Sequence, residues 1–211
     1  MQKNLAIAAV AAVVVLTFAI PAMAGEPLFF KTFDIGSAKS LPWGDPSNFI
    51  GKRDDYDFHR VIGDTEALLT PSMPTIVRME TLRRAVLYSS RHRPVAEQLV
   101  AFVMGRVKNG KDALTLFDAG FVVETLKELQ QYGADGKVYM DRDVLGITLP
   151  SNGRALLDQS AASRPNDGSI QLALALLVPP SEAEPYLRKA RAGAREDPLL
   201  SNNLARLQLL Q

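Results

Sequence analysis

Cysteine is missing from this chain of 211 residues, which holds only two histidines and one tryptophan. Without cysteine there is no disulfide, no thiol nucleophile, no cysteine-ligated zinc or iron–sulfur centre, and no lipid anchor attached through a cysteine. A zinc site without cysteine needs several histidines or carboxylates at close spacing, and His59 and His92 stand far apart. His92 is flanked by Arg91 and Arg93, whose charges repel a metal. No Gly-x-Ser-x-Gly occurs, and Lys108-Asn109-Gly110-Lys111 is no phosphate loop. Charge of one sign is absent too. The formal net charge is +1, which gives no case for nucleic acid as a partner. Nothing in the composition calls for a cofactor.

A long apolar run occurs once. Leu5 to Ile20 is interrupted only by Thr17, follows Lys3, and ends at Pro21 before Ala22-Met23-Ala24. This order predicts a secretory signal peptide over residues 1–24, cleaved before Gly25. The 16 apolar residues fall short of the ~20 that span a bilayer, so an uncleaved anchor is the weaker reading. The expected product is an exported chain of 187 residues, periplasmic or extracellular and not membrane-spanning. That is enough for one domain held by packing alone.

Residues 25–72 are crowded with Pro27, Pro42, Pro46, Pro71, Gly36, Gly44, Gly51 and Gly63. They also carry Phe29, Phe30, Phe33, Trp43, Phe49, Tyr56 and Phe58. Proline and glycine break regular elements, whereas rings need burial. An irregular arm lying on a helical body is expected, with a short helix near Asp64–Leu69.

The body, residues 73–211, reads as all-α. Ile76, Met79, Leu82 and Val86 share one face of a helix ending near Ser90, with Arg78, Arg83 and Arg84 on the other. Val95–Lys108 is apolar nearly all round, which predicts a central, buried helix capped in left-handed fashion at Asn109-Gly110. A long helix over Asp112–Tyr132 contains Gly120, which predicts a close helix contact. Residues 134–150 read as a loop with an extended stretch at Val144–Leu149. Helices follow at Gly153–Ser163, Ser169–Val178, Glu184–Glu196 and after Asp197-Pro198.

Pro165 and Pro198 stand 33 residues apart, each after an alanine-bearing helix and before another. Between them lie Leu174-Ala175 and then Tyr186, Ala190 and Gly193. This pattern resembles the tetratricopeptide repeat, a pair of antiparallel helices of ~34 residues. It departs from that family at Gln171, where an aromatic is expected, and shows about one and a half units over 151–211. The resemblance implies stacked helical hairpins and a concave groove for a peptide or protein segment.

Other motifs lead nowhere chemical. The acidic run Asp54-Asp55-Tyr56-Asp57 before His59 reads as a solvated turn. Asp135-Gly136 lacks the acidic residues that a calcium loop needs at its ends, where Gln131 and Arg142 stand. Asp141 and Asp143 flank Arg142 and read as local ion pairs. Residues 76–111 carry a net charge of +6 and residues 112–143 a net of −4. Arg84, Arg91 and Arg93 could form a basic patch meeting an acidic partner or anionic lipid heads. The bland alternative is mutual neutralisation across an antiparallel helix pair. The expected function is a non-catalytic interaction or scaffold module of the bacterial cell envelope. An enzyme would need a pocket with a buried, shifted carboxylate, and a carrier would need an apolar cavity beneath the arm.

Overall fold

The computed structural model describes residues 27–45, 48, 51–134 and 142–209. The expected signal peptide, Pro46, Phe49 and the Asp135–Asp141 stretch lie outside the described residues. Among the described residues every regular element is a helix. They are α1 (Val61–Leu68), α2 (Thr75–Ser89), α3 (Arg93–Asn109), α4 (Ala113–Ala134), α5 (Arg142–Leu145), α6 (Gly153–Ser163), α7 (Gly168–Leu176), α8 (Pro180–Gly193) and α9 (Pro198–Arg206). No described helix is long and apolar enough to cross a membrane.

The central helix is α2, not the expected α3. Every residue from Thr75 to Ser89 is buried, including Arg78, Glu80, Arg83 and Arg84. Its apolar face meets α1, α3, α4 and α7. Segment 28–43 covers its charged face, burying Leu28, Phe29, Phe33 and Leu41 in the same core. Helix α3 lies at the periphery. It buries a stripe of Val95, Leu99, Val103 and Val107, with Ala96 beside it against Val144 and Ile147, and leaves Glu97, Gln98 and Lys108 exposed. Its end is also not left-handed: Gly110 is extended, with φ −169°.

Glycine sets two of the helix contacts. A Cβ on Gly120 of α4 would lie 2.7 Å from the Gly153 carbonyl oxygen and from Leu157 Cγ on α6. Gly168, at the start of α7, meets Gly193, at the end of α8, at a spacing that leaves no room for a Cβ. Start against end makes α7 and α8 antiparallel.

Aspartate caps start three helices. Asp112 Oδ1 accepts from Leu114 and Thr115 N–H, Asp167 Oδ1 from Ser169 and Ile170, and Asp197 Oδ1 from Leu199 and Leu200. Helix α8 begins at Pro180 rather than Glu184, and Pro185 sits inside it on the exposed side. A proline at the sixth position removes one bond near the frayed end, which a helix tolerates better than a mid-helix loss. The expected extended stretch after 143 is instead the single turn of α5, followed by irregular chain. The two prolines of the 33-residue spacing differ in position: Pro165 precedes α7 by three residues, whereas Pro198 opens α9.

Candidate functional site

Charge on α2 is spent on holding segment 28–43. Glu80 accepts from Arg83 Nε and Nη2 at 2.8 and 2.7 Å, from Arg84 Nε at 2.7 Å and from the Phe33 N–H at 3.1 Å. The arginines then donate outward, Arg83 to the Phe29 carbonyl at 3.1 Å and Arg84 to the Leu41 carbonyl at 2.7 Å. Both guanidiniums lie over the Trp43 ring, at 5.2 and 5.6 Å. Tyr88 donates to the Pro42 carbonyl and accepts from the Arg53 N–H. An irregular chain buried on a helix cannot pair its carbonyls in a ladder, so side-chain donors must meet them. Arg78 Nη1 donates to both carboxylate oxygens of Asp118 on α4, at 2.8 and 2.9 Å, and its Nη2 donates to the Thr70 carbonyl at 2.6 Å.

The three arginines of the expected patch are therefore not brought together on a surface. Arg84 is 6% exposed and occupied as described. Arg91 is exposed in the turn before α3, and Arg93 is exposed and paired with Glu97 at 2.8 Å. Arg84 instead supplies a donor to the extended segment. Cross-helix neutralisation does occur, through Asp118, which also accepts from Arg106 at 3.2 Å.

Two carboxyls, the buried Asp118 and the half-buried Glu128, are displaced from their ordinary values. Burial lifts Asp118 to about 6 against the pull of Arg78 and Arg106. Burial lifts Glu128 to about 8, although the Leu28 N–H donates to it at 2.8 Å and Phe29 N–H also bonds it. Neither lines any of the three cavities described here. His59 closes a local turn through its N–H to Asp57, and His92 stacks on Phe58 at 3.5 Å. Among the described residues no three His, Asp or Glu side chains gather as metal ligands would.

The largest of these cavities is an open cleft of about 600 Å³ at the turns where α2, α7 and α9 begin. Its walls come from Pro71–Thr75, from Arg164–Ser169 and from Gly193, Glu196 and Asp197. Asp167 fixes two walls to each other, since its Oδ2 accepts from Thr75 Oγ1 at 2.7 Å while its Oδ1 caps α7. Arg164 pairs with the same carboxylate at 3.2 Å. In the sequence Glu196 reads as a helix end and Asp197 as a helix start, and nothing there marks Arg164, Asn166, Glu196 or Asp197 as lining one cleft. The available signal was the recurrence of Asp caps, which mark helix starts but not that these starts meet.

Phe29 and Phe33 of segment 28–43 are buried in the core, and an apolar slot of about 210 Å³ opens between α7 and α8 with Lys31 at its edge. Compared with known proteins, the chain matches no protein-family model, no curated protein and no solved structure.

Proposed function

We propose that the protein is an exported, non-catalytic interaction module of the bacterial cell envelope that receives a peptide or protein segment in the cleft between the α2, α7 and α9 starts. The observation that carries this reading is the cleft itself. It is broad, open and lined by short polar and proline side chains on a frame braced by Asp167 and by the Gly168–Gly193 contact. Exposed Ser72, Asn166 and Glu196 offer hydrogen bonds to a partner's backbone. The paired helices α7 and α8, joined through small residues, support the tetratricopeptide-like reading of 151–211. The enzyme reading is weaker because Asp118 and Glu128, the strongly shifted carboxyls, bond the fold together and stand away from the cavities.

The test is affinity capture from envelope extract with the purified protein, followed by mass spectrometry, run beside Asn166→Trp and Glu196→Arg. Both positions are exposed, so the variants keep the fold. A partner enriched by the wild type and lost by at least tenfold with both variants supports the cleft. A partner captured equally by all three proteins overturns it.

A further inference from the structure

The walls of the cleft carry one cation, Arg164, and three carboxylates, Asp167, Glu196 and Asp197. What a partner meets there is set by the groups that the fold leaves unspent. Asp167 is fully engaged. Its Oδ1 caps α7, and its Oδ2 accepts from Thr75 Oγ1 at the start of α2 and pairs with Arg164 at 3.2 Å. That pairing neutralises Arg164. The Leu199 and Leu200 N–H groups at the start of α9 are taken by Asp197 Oδ1. Helix starts draw anions through such donors, and here the protein's own carboxylates already hold them.

Two carboxylates have capacity left. Glu196 is exposed, and among the described residues its side chain meets no donor. Asp197 is half-buried, and among the described residues only its Oδ1 is bonded. The positive end of α9 offsets part of the Asp197 charge and leaves that of Glu196 whole. Every wall lies within the continuously described stretches 51–134 and 142–209. Asn166 is exposed beside them and carries no charge. The unspent charge of the cleft is therefore negative. A partner's backbone N–H can meet a carboxylate, but only a cation matches its charge.

We propose that the segment received by the cleft is basic, with a lysine or arginine end against Glu196 and the free oxygen of Asp197 and its backbone passing Asn166. This inference rests on the reading of the cleft as a site for a peptide or protein segment and adds the charge of the occupant. Fluorescence anisotropy with labelled peptides that alternate alanine with lysine, with glutamine or with glutamate tests it on the purified protein. The lysine peptide should bind saturably and about tenfold more tightly than the glutamine peptide, and the glutamate peptide more weakly still. The lysine affinity should fall as sodium chloride rises from ~50 to ~300 mM. Glu196→Gln combined with Asp197→Asn should weaken the lysine peptide about tenfold and leave the glutamine peptide unchanged. Asparagine caps a helix as well as aspartate does, so this variant keeps the start of α9. Glu66→Gln, exposed on α1 and outside the cleft, should change nothing. Equal binding of the lysine and glutamine peptides, both lost in Asn166→Trp, overturns the charge preference and leaves the cleft reading standing. Lysine binding that survives Asn166→Trp, or that falls as far in Glu66→Gln as in the double variant, places the peptide elsewhere and overturns the proposal. Absence of lysine binding overturns it as well, and the envelope capture then decides the cleft on its own.

Discussion

Glu128 is a carboxyl whose surroundings favour its neutral form. It sits against the segment that covers α2, and burial outweighs the two N–H groups that favour its anion. Its value rises from the ordinary 4.5 to about 8, so the folded chain holds a proton that the unfolded chain releases. The contribution to stability is complete below pH ~4.5 and is lost as the pH climbs toward 8, at up to ~1.4 kcal/mol per unit. Urea denaturation at pH 5, 7 and 9 should show this decline, and Glu128→Gln should flatten it. Asp118 is raised by burial too, but it has a buried guanidinium as its partner. Arg78 is 1% exposed and faces Asp118 from across the helix pair. Asp118→Ala leaves that guanidinium buried without its counter-ion and should cost about 3–5 kcal/mol in the same assay. A loss under 1 kcal/mol would show that the guanidinium finds water.

Helix α4 meets α6 so closely that a methyl group decides the contact. Gly120→Ala would force a Cβ to 2.7 Å from the Gly153 carbonyl oxygen and should destabilise by about 1–3 kcal/mol. Gly105→Ala on α3 meets open space and should stabilise by about 0.5–1 kcal/mol, since alanine restricts the unfolded chain. Thermal denaturation of the pair checks both signs. What the sequence revealed follows the same line. The bounds of α6 were legible because a glycine start and the Arg164-Pro165 stop punctuate it, and the Gly120 contact was legible because an interior glycine needs a reason. The order of burial was not. Val100, Phe102 and Met104 made α3 look central, yet they stay partly exposed. Glu80, Arg83 and Arg84 have the spacing of a surface ion-pair helix and do pair, but the groups they reach on the covering segment are the Phe33 N–H and the Phe29 and Leu41 carbonyls, and backbone carries no residue-type signature. The cleft was illegible for a related reason, because its walls come from turns about 90 and 120 residues apart.

At the scale of the whole molecule, segment 28–43 belongs to the core. Trp43, the one tryptophan, stacks where that segment crosses Arg83, Arg84 and Tyr88. Its fluorescence therefore reports on docking of the segment, while far-ultraviolet circular dichroism reports on the helices. The two unfolding transitions should coincide within error. A tryptophan transition at lower denaturant would mean that the segment docks on an already folded body.

The bonds between Asp34 and Asn203 join residues 169 positions apart: the Asp34 N–H donates to Asn203 Oδ1 at 2.7 Å and Asn203 Nδ2 returns a bond to the Asp34 carbonyl at 2.8 Å. A stretch of chain that a ribosome delivers early thus waits for one delivered 169 residues later. Until α9 arrives, the Asp34 N–H and carbonyl lack these two partners, so this turn of the segment settles only after the helical body is largely made.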